Sequence, residues 1–204
     1  MNNDKIHIIL IHRGNADYLH YTLNQAHKSN PNGIIDLIGD EHNNKYNFIN
    51  HFSINDFFND AADFAKHYVH LSTNKKEFEL FCFQRWFILK EFVQKNNISQ
   101  YIYLDSDVMV FVDLLEELAK FNNFKFTLSG GQFPGISFWN SQEAIINFCC
   151  NITNIYSKQD ILGYNNLMEF ADQFRKSGKT GGVCDMTLFS QPLKTQISFW
   201  GAKT

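Results

Sequence analysis

The sequence carries no basic block, no long apolar run and no C-x-x-C pair, and each absence removes a class of function. Its 18 Lys and Arg stand against 21 Asp and Glu, a formal net charge of -3. The cations are scattered, whereas a nucleic-acid binder needs a basic patch to neutralise phosphates, so no nucleic acid is expected as partner. The same mixed charge gives no membrane-surface signal. The N-terminal apolar stretch 6–11 is interrupted by His7 and is too short for a signal-peptide core or a membrane span. A cytoplasmic location is therefore expected, with no membrane span. The cysteines, Cys82, Cys149, Cys150 and Cys184, lack redox-motif spacing and are expected to be free thiols in a reducing compartment. Repeats, linkers and low-complexity segments are also missing. The 204 residues are thus expected to form one domain.

What is present is apolar mass and a regular alternation of patterns. The chain is 44% hydrophobic with 21 Phe, enough for a true core and contrary to disorder. KIHIILI, 5–11, reads as a buried strand ending in the polar turn His12-Arg13-Gly14-Asn15. Asn15 is placed to cap a helix in which Tyr18, Leu19, Leu23 and Ala26 recur at helical spacing. After the 29–33 break, 34–39 reads as a second strand, followed by Asp40-Glu41-His42. Strand, helix and strand within this length make a βαβ unit with parallel pairing. A third short strand is expected over 46–52 and a helix over 54–67, capped by Ser53 or Asn55. The strongest helix spans 76–95, with Phe78, Phe81, Cys82, Trp86, Leu89 and Val93 on its apolar face. Beyond the strand that begins at Tyr101, helices are expected over 112–121, 143–156 and 166–176. A strand is expected over 124–128 and a short last element over 185–189. The fold class is therefore α/β, a mostly parallel sheet flanked by helices.

The stretch Tyr101 to Phe111, YIYLDSDVMVF, anchors the functional reading. Apolar runs flank Asp105-Ser106-Asp107. Successive strand residues point to opposite faces, so both carboxylates are expected on one side, where they repel unless a cation joins them. Divalent hard cations take oxygen ligands. The plain alternative is a strand end whose two carboxylates are solvated or cap a turn. In parallel α/β sheets ligands sit beyond the carboxyl ends of the strands. The turns His12 to Asn15, Asp40 to His42 and Asp105 to Asp107 all fall at such ends. Together they indicate a nucleotide-sized ligand with manganese or magnesium on its phosphates.

In these pieces the chain resembles the GT-A fold nucleotide-sugar glycosyltransferases, over roughly residues 5–190. The matching segments are KIHIILI and its turn, the LIGD strand end, FELFCFQRWFILKEF, YIYLDSDVMVF, and the glycine turn leading to SFWN. The resemblance implies a Rossmann-like GT-A sheet and a hexosyltransferase activity. A sugar would move from a nucleotide sugar, most simply a UDP-sugar, to a hydroxyl of a saccharide or other acceptor. It implies Mn2+ or Mg2+ held by Asp107 as main ligand, with Asp105 contacting the metal or the ribose and Ser106 among the donor-binding residues. His12, Arg13, Gly14, Asn15 and Asp40 would lie near base and ribose. Arg85 would reach the donor sugar or phosphates, with a surface helix charge as the alternative. Gly131 and Gly135, in the turn 130–135, would lie against donor and acceptor, or form a plain connecting loop. Asp185 would bind sugar hydroxyls or, if the reaction inverts, act as base; a helix N-cap is its alternative. One departure stands out. Many retaining members use a late histidine as third metal ligand, and here all eight histidines lie at or before His70. Either a C-terminal segment is absent from this chain, or water and Asp185 complete the shell.

Two rival readings use the same residues. In a haloacid-dehalogenase-like phosphatase Asp105 would be the nucleophile and Asp107 the acid/base, with Thr127 or Ser129 as the second motif. Against it, about a hundred residues precede the motif, which ordinarily opens that domain, and the later acidic pair is missing. The other rival is a catalytically inactive nucleotide-sugar-binding domain.

Overall fold

The computed structural model describes residues 5–130 and 133–190, so Gly131 and the 191–204 segment lie outside the described residues. In chain order the elements are β1 (His7–His12), α1 (Tyr18–Ser29), β2 (Ile34–Gly39), β3 (Asn50–Ser53), α2 (Asn59–Ala65), α3 (Lys76–Lys95), β4 (Tyr101–Asp105), α4 (Leu114–Ala119), β5 (Ile136–Trp139), α5 (Gln142–Tyr156), α6 (Ile161–Lys176) and α7 (Asp185–Ser190). Short 3-10 turns follow β2 and β3. The contacts divide the chain into two compact units. The first is Met1–Phe57 with Phe92–Ala144; the second is Phe58–Glu91 with Ile145–Thr204.

The first unit is an α/β sandwich layer. Its five strands lie in the order β3-β2-β1-β4-β5. All neighbours are parallel except β4 and β5. The β-branched and aromatic strands read as continuous apolar runs because both sheet faces are buried. On one face Ile8, Leu10, Ile35, Leu37, Ile102 and Leu104 pack against Leu19, Leu23 and Ala26 of α1 and Leu114 and Leu118 of α4. On the other face Ile9, Ile11, Ile38, Tyr101 and Tyr103 are also buried. Asn30, fully buried, ties the two helices together: its Nδ2 donates to the Ala26 carbonyl (2.9 Å) and its Oδ1 accepts from Leu114 N–H (2.7 Å). This is how a buried amide is kept satisfied.

The second unit is helical around an aromatic core. Phe64 stacks on Phe87, with centroids 4.8 Å apart, and Tyr156 meets Phe64 edge-on. Trp86 packs edge-on against Phe148 and Phe189. Glu91 Oε1 accepts Asp60 N–H (2.6 Å) at the start of α2. The 71–73 strand-like segment pairs with 181–183 through Ser72 and Gly182.

Several expectations are corrected. The 54–67 helix is a 3-10 turn, Ile54–Phe57, followed by the shorter α2. The expected 124–128 strand is an isolated bridge from Phe126 to Trp139, with Thr127 N–H donating to the Phe138 carbonyl. Phe78, assigned to the apolar face of α3, is 61% exposed. Asn15 does not cap α1, whose N-cap is Asp17; its Oδ1 accepts from Lys45 Nζ at 2.9 Å. The apolar run 108–112 does not continue the strand. Val110 turns into the core while Met109, Phe111 and Val112 are exposed. Among the described residues no helix is long and apolar enough to cross a membrane.

Candidate functional site

From β1 the chain moves outward to β2 and β3, then returns to the other side of β1 to place β4. The order therefore reverses between β1 and β4, and a crevice opens at such a switch point beyond the carboxyl ends of the two strands. His12 ends β1 and Asp105 ends β4, with Ile11 paired to Asp105 in register. The D-S-D sequence sits at the one place where the topology itself favours a ligand.

The strand stops at Asp105. Ser106 and Asp107 form a turn, closed by Val108 N–H donating to the Asp105 carbonyl (3.0 Å). Strand alternation thus does not place Asp107; the turn does. Asp105 is half-buried and Asp107 exposed. The first carboxylate is tightly built in. Tyr103, two residues back on the same strand face, donates its hydroxyl to Asp105 Oδ1 (2.9 Å). Asp105 N–H donates to the Gly135 carbonyl (2.8 Å). A Cβ on Gly135 would lie 2.2 Å from the Phe133 ring and 2.8 Å from Asp105 Oδ2, which is why this position is glycine.

Ser106 is held from two elements. Its hydroxyl is hydrogen-bonded to His12 Nδ1 (2.9 Å), and its carbonyl accepts from the buried Thr22 hydroxyl on α1 (2.8 Å). His12 is 5% exposed, and its Nε2 has no hydrogen-bond partner among the described residues. Burial holds its pKa below the ordinary imidazole value, against the opposing pull of Asp40 and Asp107.

Beside this turn, Asp40 follows β2. Its Oδ2 accepts Gly14 N–H (2.7 Å), and its carbonyl accepts from His51 Nε2 (3.1 Å). Gly14 has φ +89, a conformation that favours glycine, and its carbonyl accepts from Asn43 Nδ2 (3.2 Å). So His12, Gly14 and Asp40 are joined at one end of the sheet with Asp105, Ser106 and Asp107, while Arg13 is exposed in the same turn. A groove of about 480 Å3 opens alongside, between Asn15, Asp17 and His20 at the start of α1 and Lys45 and Tyr46 after β2.

The second unit contains the other two expected site residues. Arg85 Nη2 lies 2.6 Å from Asp185 Oδ2, and Trp86 Nε1 donates to the same oxygen (2.8 Å). Asp185 Oδ1 accepts Met186 N–H (2.9 Å) at the first turn of α7, and the residue is 2% exposed. This carboxylate is a buried acceptor of three donors, which is the fixing pattern of a charge-assisted pair. Arg85 is not a loose surface charge. Nearby Glu79, 2% exposed, accepts from Ser72 and Asn74 through Oε1.

The donor set at the switch point fits a hard divalent cation: carboxylate oxygens, one exposed and one half-buried, at a carboxyl-terminal strand end. Among the described residues no group of three or more His, Cys, Asp or Glu gathers as a metal cluster. Among the described residues the turn offers the carboxylates of Asp105 and Asp107. Thr22, Tyr103 and Asn43 were missed from sequence, since their role rests on contacts across the fold. The only sequence signal for them is a hydroxyl or amide on a buried face. No family model matches the chain, and no curated protein matches it.

Proposed function

We propose that the protein is a metal-dependent glycosyltransferase of GT-A type, moving a sugar from a nucleotide sugar, most simply a UDP-sugar, to an acceptor hydroxyl. The observation that carries this reading is the D-S-D turn at the β1/β4 switch point, with Asp40 at the end of the adjoining strand. Mn2+ or Mg2+ held there with the donor diphosphate supplies Lewis-acid stabilisation of the leaving group. Asp107, the exposed carboxylate, is the principal cation ligand, and Asp105 the second. Tyr103 holds Asp105 by donating to Oδ1, and the other oxygen, Oδ2, lies against Gly135. The Gly14 amide fixes Asp40 as an acceptor near the nucleoside. Arg85 and Asp185 stabilise each other in the second unit; a base role for Asp185 requires it to give up one of its three donors.

The phosphatase reading has less support. Thr127 Oγ1 accepts from Phe138 N–H, and Ser129 Oγ donates to the Ile136 carbonyl, so both hydroxyls serve the β5 connection. A thermal-shift panel of nucleotides and nucleotide sugars with and without Mn2+ tests the proposal. A donor at about a hundredfold excess over its Kd stabilises by roughly 2.7 kcal/mol. A shift with UDP or a UDP-sugar that needs Mn2+ is expected. No shift with any uridine or guanosine nucleotide would sink the transferase reading, and a shift without transfer to any acceptor would favour the inactive binding domain.

A further inference from the structure

We propose that Thr22 and His12, acting through Ser106, are positioning residues that set the two carboxylates of the D-S-D turn for a divalent cation. The inference rests on the transferase reading and adds to it how the turn keeps its shape. A cation ligand pair placed in a turn is only as well defined as the residue between its members. Here that residue is held at both of its polar groups. The Thr22 hydroxyl, on a 3% exposed residue one turn into α1, donates to the Ser106 carbonyl at 2.8 Å, with the Leu19 carbonyl at 3.1 Å as its second acceptor. His12 Nδ1, on the neighbouring strand end, is 2.9 Å from the Ser106 hydroxyl.

Both anchors are rigid. Thr22 belongs to the α1 face whose neighbours Leu19, Leu23 and Ala26 are packed into the sheet core. His12 is fixed by its place at the end of a strand paired on both sides. A backbone carbonyl gripped from a helix fixes the Ser106–Asp107 peptide plane. The hydroxyl grip fixes its rotation about the strand axis. Neither Thr22 nor His12 donates to a carboxylate, so neither competes with the cation. Thr22 is buried, and its link to the turn is the Ser106 carbonyl.

The two arms separate experimentally. Thr22→Val keeps the shape and removes the carbonyl grip; Thr22→Ser keeps the hydroxyl; Ser106→Ala removes only the His12 arm and changes a half-buried turn residue that the core does not need. Mn2+ binding is followed by the loss of its free paramagnetic resonance signal, with and without UDP, beside the melting curve of each variant. Partners that orient metal ligands carry about 10–100-fold in metal affinity when removed. Thr22→Val and Ser106→Ala are expected to weaken Mn2+ binding in the presence of UDP by about tenfold or more on that scale. Thr22→Ser restores it, and in Thr22→Val UDP binding without metal does not change. Wild-type affinity in both Thr22→Val and Ser106→Ala would overturn the inference and leave the transferase reading standing. Equal Mn2+ binding by wild type and Asp107→Asn would overturn both. Should Thr22→Val fail to fold, Ser106→Ala alone decides.

Discussion

Gly135→Ala isolates the link between packing and ligand geometry at the candidate site. The added Cβ meets two neighbours of different stiffness. The Phe133 ring, 2.2 Å away at its tip, is 42% exposed and can swing outward. Asp105 cannot. Its Oδ1 is tied to Tyr103 and its N–H to the Gly135 carbonyl itself. To move from 2.8 Å to the 3.4 Å of ordinary contact, Asp105 Oδ2 must retreat by about 0.6 Å. Ligand groups need to be held within about 0.5 Å of productive geometry, so the shift falls outside tolerance. Overpacking in a tight core costs about 1–3 kcal/mol, and the mobile ring puts this variant at the lower end. A loss of 1 kcal/mol lowers Tm by about 2–4 °C in a chain of this size. The expected result is a small fall in Tm, read by calorimetry, with a fall of about tenfold or more in affinity for Mn2+ with UDP, read by titration, as for other perturbed metal shells. Phe133→Ala added to Gly135→Ala should recover part of the stability and none of the affinity, because only the ring clash is relieved. Full Mn2+ affinity in Gly135→Ala would refute the assignment of Asp105 as a ligand held by packing.

In the second unit, Asp185→Ala strips Arg85 of a buried partner and is expected to cost about 3–5 kcal/mol. Trp86→Phe removes one neutral donor to that carboxylate and should cost about 1.5–3 kcal/mol; urea unfolding that reversed this order would contradict the network. Gly182→Ala is expected to lower stability by roughly 1–3 kcal/mol, because φ is +150 and the new Cβ would sit 2.4 Å from the Leu71 carbonyl oxygen; an unchanged melting curve would count against that close approach. For His12, burial lowers the folded pKa below the ordinary 6.5, so the unfolded chain takes up a proton first. The stability owed to neutral His12 is present above that value and is lost as pH falls through it. Wild type should therefore lose more unfolding free energy between pH 8 and pH 5 than His12→Gln, and equal losses would refute the burial argument.

Where local pattern and tertiary packing agree, the sequence was readable to the residue. The 76–95 helix and the 34–39 strand match their observed bounds, Lys76–Lys95 and Ile34–Gly39. The misses have a common cause. FKFTL has strand composition and runs along the outer edge of β5, with Thr127 N–H donating to the Phe138 carbonyl and Asn140 N–H to the Lys125 carbonyl, yet it forms a single bridge, Phe126 to Trp139. VMVFV is as apolar as the strand before it, but Ser106 and Asp107 turn the chain first. Composition reports what a segment can pair with, and the turns around it decide how far the pairing runs.

The site divides along the same line. Carboxylates at strand ends are legible, because strand ends are marked by a change from apolar to polar residues and the parallel sheet fixes which ends share a side. That was enough to bring Asp40 and the D-S-D turn together with His12 and Gly14. It could not say which side chains hold them, because Thr22 and Ser106 are 84 residues apart and Thr22 by itself reads as an ordinary helix residue. Asp185 shows the limit most clearly. As sequence it fits a sugar ligand, a base or a helix N-cap equally well. Its three donors, one from its own helix and two from α3, arise only because Arg85 and Trp86 are adjacent on one turn and α7 begins beside them. A carboxylate so engaged has no free lone pair facing solvent without cost, whereas exposed Asp107 does. That difference in engagement, invisible in the residue types, makes Asp107 the more available carboxylate of the two for the proposed cation.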